Sequence, residues 1–281
     1  MGQQQRRDIR MIALDLDGTL LNKEKHVTER NRRALAAASA AGIAVVPCSG
    51  RALDSIPAEV LGLTGVQYAV SSGGGAAFAL SSGEQLVCTP MDPRIVQEIL
   101  RLTWAAGAWG ECYTGGQSFT PAKDIPTIRA FMRDRDFVYL DRQPVEDLAA
   151  WAVQNADRVV KLNLMFRDGE SRERVRRQLA GRTDILLSSA GDHNLEVNAP
   201  NGGKGDALRA LGAKLGITPA QIMACGDQLN DLSMLRAVGF PVAMGNAVPE
   251  IKAAAAFVTR TNEEDGVAYA VERFALGQAV E

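Results

Sequence analysis

The sequence predicts an α/β fold: a Rossmann-like, doubly wound parallel sheet core with an inserted α+β domain. Three observations predict it. Short, almost wholly apolar runs such as "MIAL", "IAVVPC" and "IMAC" stop abruptly at polar residues, as central parallel strands covered on both faces do. Segments of helical composition separate these runs at both ends of the chain, the rhythm of a doubly wound sheet. The middle has a different texture, with mixed strand candidates and three helix candidates and no parallel rhythm. The core is therefore expected at residues 1–83 and 199–281, and the insertion at 84–198.

Taken in order, "MIALDL" is the first strand, and "TERNRRALAAASAAG" a helix with Thr28 as its cap and Gly42 as its stop. "IAVVPCSG" and "VQYAVSSGGG" are two more buried strands, and "SSGGGA" is a tight turn into a hairpin leading to the insertion. Within the insertion, "EQLVCTP", "GECYTGG", "SFTPA", "KLNLMF", "DILLSSA" and "NLEVNA" are strand candidates. "DPRIVQEILRLTWAAG", "VEDLAAWAVQ" and "GESRERVRRQLAG" are its helices. The rhythm then resumes, with "KGDALRALGAKLG", "NDLSMLRAVG" and "VPEIKAAAA" as helices alternating with the strands "IMACGD", "PVAMG" and "FVT".

Bulk properties narrow the function. The 281 residues are 46% hydrophobic, enough for a full core, and the formal charge of −2 argues against a nucleic-acid or membrane-surface protein. "RERVRRQL" reads as a solvated helix face. No stretch is long and apolar enough to span a bilayer. The opening "MGQQQRRDIR" has no apolar h-region, and Arg6 stands where a myristoylation signal needs Ser or Thr. Cys48, Cys88, Cys112 and Cys225 are scattered, which fits free thiols and a cytoplasmic location. With only His26 and His193, a zinc site or a Ser-His-Asp triad has little support.

The chemistry lies at the strand ends. In an open parallel sheet, ligands bind beyond the carboxyl ends of the strands. Asp15 and Asp17 end the first strand, Ser49-Gly50-Arg51 the second, and Asp227 follows "IMAC" with Asn230 and Asp231 just beyond. Lys204 opens a helix, where a cation opposes the helix dipole and so needs an anionic neighbour. Burying like-charged carboxylates is costly unless something compensates them. Four aspartates offer oxygen ligands only, which suits Mg²⁺. Mg²⁺, a lysine and a hydroxyl together suit the oxygens of a phosphoryl group. One carboxylate can attack phosphorus, and another can move the proton.

"DLDGTLLN", "CSGR", "GGKGDAL" and "GDQLNDLSML" resemble, in order and spacing, the four motifs of the haloacid dehalogenase superfamily. The tail "MGNAVPEIKAAAAFVTRTNEEDGVAYAVERF" resembles the Cof-type hydrolases, which carry a large α/β cap between the second and third motifs. The resemblance implies that Asp15 is the nucleophile and a Mg²⁺ ligand, and that Asp17 is the general acid/base with its carbonyl on the metal. It implies that Ser49 and Lys204 hold phosphoryl oxygens and that Asp227 is the third metal ligand. Asn230 and Asp231 would orient the phosphoryl group and Lys204. Gly50 and Arg51 belong to the phosphate-binding motif, where Arg51 is divided between substrate contact and a salt bridge to a helix. Serine at position 49 stands where the branch often has threonine, and it keeps the hydroxyl.

The expected reaction is Mg²⁺-dependent hydrolysis of a small phosphate monoester, sugar phosphates first, by a monomer or weak homo-oligomer. A phosphotransferase or mutase on the same scaffold and a non-enzymatic phospho-acceptor signalling module are the alternatives. Four further residues are read as structural: His193 in an exposed turn, and Trp104, Trp109 and Tyr113 as core aromatics.

Overall fold

The computed structural model of the chain describes residues 7–134, 142–189 and 191–279. The opening six residues, read above for targeting signals, lie outside the described residues. The chain begins with β1 (Met11–Leu14), α1 (Glu29–Ala40), β2 (Ala44–Pro47), the single turn α2 (Ala58–Leu61) and β3 (Tyr68–Ser71). It continues through β4 (Ala76–Ala79), β5 (Glu84–Cys88), α3 (Pro93–Ala105), β6 (Trp109–Tyr113), β7 (Ser118–Pro121) and α4 (Ile125–Arg133). Next come β8 (Gln143–Val145), α5 (Leu148–Gln154), β9 (Lys161–Met165), α6 (Gly169–Leu179), β10 (Leu186–Ser188) and β11 (Asn194–Asn198). The last part holds α7 (Lys204–Leu215), β12 (Ile222–Gly226), α8 (Leu232–Ala237), β13 (Phe240–Ala243), α9 (Pro249–Ala254), β14 (Phe257–Val258) and α10 (Gly266–Ala270).

The main sheet has the order β14-β13-β12-β1-β2, with every neighbouring pair parallel. β1 is wholly buried, as its unbroken apolar run requires. Its neighbours β2 and β12 are reached from opposite ends of the sequence, so the crevice at the carboxyl ends of the strands opens beside β1. α1 packs with α10, and α7 with α8. Thr28 caps α1 by accepting from the Asn31 N–H at 3.2 Å.

β3 departs from the expected plan. Beside the main sheet it forms an isolated parallel bridge, Cys48 to Val70, with another, Val45 to Val66, just before it. Its ladder is instead antiparallel, in the three-stranded sheet β3-β4-β5. The chain reverses at Ser72, Gly73 and Gly74, whose φ values are 53°, 71° and 107°. This is the hairpin read from "SSGGGA". β5, which the sequence reading gives to the insertion, pairs with β4, and its Val87 packs into the first hydrophobic cluster.

A second buried cluster runs from Met91 to Ala199. It lies against the six-stranded sheet β10-β11-β9-β6-β7-β8, antiparallel except at β7-β8. Among the described residues, four helices of at least one full turn accompany this sheet, where the sequence reading has three. The additional one is α4, with Pro126 in its first turn.

Candidate active site

The motif residues that were read separately meet at the carboxyl edge of the main sheet. The Asp15 N–H continues the ladder of β1 by donating to the Cys225 carbonyl at 3.1 Å. This brings the aspartate beside the end of β12, where Asp227 begins the next loop. Gly18 sits at φ 85°, and a Cβ there would lie 2.5 Å from an Asp227 carboxylate oxygen. Only glycine lets the loop after β1 come this close. Thr19 Oγ1 donates to Asp227 Oδ1 at 2.9 Å and fixes that carboxylate.

Lys204 is the first residue of α7 and is buried. Its Nζ donates to Asp15 Oδ1 and Asp231 Oδ1, each at 2.6 Å. The lysine is placed by the glycine turn, since a Cβ on Gly74 would fall 2.1 Å from the Gly203 carbonyl carbon. Asp231 is fully buried, and its second oxygen accepts from the Asp227 and Gln228 N–H groups at 3.0 and 3.2 Å. Both of its oxygens are thus committed to positioning.

Burial, then the nearby Asp231 charge, pushes the Asp15 carboxyl well above its ordinary value, against the pull of Lys204. Burial likewise raises Asp227 to about 6. Burial disfavours the Lys204 ammonium, but the facing Asp15 and Asp231 carboxylates outweigh it and hold the lysine charged. Carboxylate oxygens of Asp15, Asp227 and Asp231 lie within 4.8 Å of one another. Three carboxylates against one bonded ammonium leave two negative charges when all are ionised. That charge and an oxygen-only donor set fit a divalent hard cation, with Asp15 and Asp227 as the two side chains not already committed. Asn230 adds a buried Oδ1 that accepts no hydrogen bond among the described residues.

Asp17 stands apart from this group. Both its oxygens accept from Arg51 Nη2, at 3.1 and 2.9 Å, and Oδ1 also accepts from Lys25 Nζ at 2.8 Å. Burial works against ionisation here, yet the two cations hold Asp17 below the usual carboxylate range. Arg51 therefore pairs with the neighbouring motif and not with a helix, and it also donates to the Ser55 carbonyl at 3.3 Å. Ser49 Oγ accepts from the Arg51 N–H at 3.1 Å. Asp15, Asp17, Ser49, Gly50, Arg51 and Asn230 all line one cavity of about 320 Å³.

A model of the haloacid dehalogenase-like hydrolase family matches residues 12–271. The chain belongs to that family. It is 31% identical over 281 residues to the phosphatase YwpJ of Bacillus subtilis, covering 93% of this chain and 98% of that one. It is 29% identical to YwtE, a 5-amino-6-(5-phospho-D-ribitylamino)uracil phosphatase of Bacillus subtilis, over 96% of this chain and 99% of the relative. A solved structure of a haloacid dehalogenase-like hydrolase from B. subtilis matches with a TM-score of 0.79 at 28% identity, covering 94% of this chain and 99% of the other.

In this haloacid dehalogenase-like hydrolase, the six-stranded sheet forms the opposite wall of the cavity. Along β6, β9 and β11 the residues alternate, with Cys112, Leu162, Leu164, Leu195 and Val197 in the apolar cluster on one face. The other face carries Glu111, Tyr113, Lys161, Asn163 and Glu196, all buried. The sequence reading missed this face. Tyr113 is buried, as the sequence reading expects, and His193 does lie in a turn but is half-buried; both also line the cavity, and His193 meets the Phe131 ring edge-on at 6.1 Å. Trp104 and Trp109 do pack with apolar clusters. The signal was present: "KLNLM" and "NLEVN" alternate polar and apolar residues with period two. Such a polar face ordinarily meets water. Here it meets the core.

Among the described residues, no helix is long and apolar enough to cross a membrane.

Proposed function

We propose that this hydrolase cleaves a small phosphate monoester in two steps through a phosphoryl group carried by Asp15. The single observation that supports this reading most is Lys204. It is buried and bonded to Asp15 and Asp231, so it fixes one Asp15 oxygen and sets a positive charge beside the carboxylate proposed to carry the phosphoryl group. Asp15, Asp227 and the Asp17 carbonyl are the groups that would hold Mg²⁺. When bound, the ion would neutralise the clustered carboxylates and the phosphoryl oxygens.

In the first step an Asp15 oxygen bonds to phosphorus and the ester P–O bond breaks. The departing alkoxide takes a proton from Asp17. In the second step Asp17 takes a proton from water, the water oxygen bonds to phosphorus, and the bond from phosphorus to Asp15 breaks. Ser49 Oγ–H, Lys204 and the Asn230 amide hold the phosphoryl oxygens. Arg51 and Lys25 favour the ionised Asp17 of the second step. For the first step Asp17 must carry a proton, so we infer that Arg51 turns from Asp17 to the substrate's phosphoryl group as the ester enters. Asp17 and the enclosing wall favour hydrolysis over a stable phospho-acceptor switch, because both would shorten the life of the phosphorylated state.

The test is phosphate release with and without Mg²⁺ across sugar phosphates, nucleotides and cofactor phosphates. Mg²⁺-dependent release that vanishes in Asp15→Asn is expected. Release retained in that variant would remove Asp15 as nucleophile. A strict need for a bisphosphate activator would favour the mutase reading.

A further inference from the structure

Cross-strand register turns the polar face of the six-stranded sheet into a grid. Tyr113, Lys161 and Asn198 stand in one row, Glu111, Asn163 and Glu196 in the next, and Trp109, Met165 and Asn194 in the third. Rows two residues apart are separated by roughly 7 Å along the strands. The first row lies against the loops that carry the motifs. Asn198 Nδ2 donates to the Ser72 carbonyl at 2.9 Å, and Lys161 Nζ donates to the Gly50 carbonyl at 2.8 Å. Gly50 is the residue between Ser49 and Arg51. The third row is largely apolar, with Met165 packed in a cluster with Trp109 and Phe131.

Lys161 and Glu196 are the charged pair nearest the motif loops on this wall. Nζ donates to Glu196 Oε1 at 2.6 Å, and the two side chains are 1% and 7% exposed. Burying an ion pair is weak support for stability, since desolvation consumes most of the attraction. This pair also leaves valences unused. An ammonium has three N–H donors, and two of these are taken, by Gly50 and Glu196. Glu196 Oε2 accepts no hydrogen bond among the described residues, and both side chains line the cavity. One donor and one acceptor thus remain, side by side, next to the loop proposed to hold the phosphoryl group.

We propose that Lys161 and Glu196 select the leaving alcohol by binding a hydroxyl on the carbon next to the phosphorylated one. The third Lys161 N–H donates to that hydroxyl oxygen, and the hydroxyl donates to Glu196 Oε2. The substrate class is therefore a 2-hydroxyalkyl phosphate, as in a phosphorylated polyol or sugar, whose far end reaches Met165 and Phe131. This inference rests on the phosphatase reading of the same site, which it deepens.

The test compares kcat/KM for 2-hydroxypropyl, 3-hydroxypropyl and propyl phosphates, with p-nitrophenyl phosphate as a general phosphoryl donor. In the wild-type protein the 2-hydroxyl is expected to raise kcat/KM over propyl phosphate about tenfold or more, and the 3-hydroxyl less. Glu196→Gln and Lys161→Met are expected to bring that ratio toward one. If either single variant fails to fold, Lys161→Met combined with Glu196→Leu removes both charges together and leaves none unpaired. A wild-type ratio near one, or a ratio unchanged in every variant, would overturn the proposal while leaving the phosphatase reading standing. No release from any of the four esters would overturn the phosphatase reading itself, and this inference with it.

Discussion

The two walls of the cavity, each taken with the side chains packed behind it, handle buried charge differently. On the core wall, Asp15, Asp227 and Asp231 crowd round one ammonium, and burial raises Asp15 and Asp227 above their ordinary range. On the sheet wall, each buried carboxylate has a cation of its own: Arg142 for Glu111 and Lys161 for Glu196. Asn163 Nδ2 gives Glu111 a further donor at 2.9 Å. The core wall is short of positive charge and is built to receive it. The sheet wall is close to neutral and is built to hold its shape while presenting donors and acceptors. Substitutions should therefore act on chemistry and metal at the first wall, and on folding and substrate choice at the second.

The largest expected effect tests that division. Asp15→Asn should lower kcat by about 10⁴-fold or more and leave the circular dichroism spectrum and cooperative unfolding intact. A loss of only a few fold would break the division at its strongest point.

Lys204→Met and Glu111→Leu probe buried pairs on the two walls. Lys204→Met leaves Asp15 and Asp231 without the ammonium they share, and Glu111→Leu removes the carboxylate that Arg142 pairs with on the sheet wall. Breaking a buried pair costs about 3–5 kcal/mol, read as a drop in the denaturation midpoint. Mg²⁺ should recover part of the loss for Lys204→Met and none for Glu111→Leu. Equal recovery in both would erase the contrast.

A smaller effect concerns pH. The folded Asp227 carboxyl binds its proton up to about pH 6, above the ordinary carboxylate range of the unfolded chain. The folded state thus holds more protons in that interval, so the metal-free protein should lose stability as pH rises from about 4 to 6. For Asp227 this amounts to about 3 kcal/mol at most, and Asp15 acts in the same direction. Asp17, held low by its cations, acts oppositely, but it is partly exposed and screened. With Mg²⁺ the trend should flatten or reverse, because a cation binds the ionised carboxylates. Melting temperatures from pH 4 to 7, with and without Mg²⁺, measure it. A metal-free protein that gains stability across that range would contradict the crowding.

The smallest effect is expected at the far end of the sheet wall. Met132→Ala removes part of the apolar lining and should raise KM about fivefold, for about 1 kcal/mol of lost contact. kcat should stay within twofold.

The same contrast explains what the sequence disclosed. Asp15, Ser49 and Asp227 sit in short motifs that follow apolar strands, and Lys204 in one that opens a helix, so all four could be found locally and brought together by a rule of sheet topology. The sheet wall follows no local motif. Lys161 and Glu196 lie 35 positions apart, and only the register of β9 with β11 joins them. Phe131 and Met132 ride on α4, which is not among the helices read from the sequence. β3 is read as a buried strand of the sheet, and it does meet the chain after β2 by a parallel bridge, but its antiparallel ladder with β4 is not legible, because a four-residue apolar run carries no information about its partner strand. Arg51 was recognised, but its bond to Asp17 depends on side-chain placement across two loops.

The most direct test of the phosphoryl carrier is a rapid acid quench of the wild-type protein during turnover of a phosphate ester, followed by borohydride reduction and peptide mass spectrometry. An acyl phosphate is reduced to an alcohol, so the account predicts homoserine in place of Asp15, in the tryptic peptide Met11–Lys23. Turnover under the same conditions with Asp15 unchanged, or with the reduced residue at Asp17 or Asp227, would contradict it.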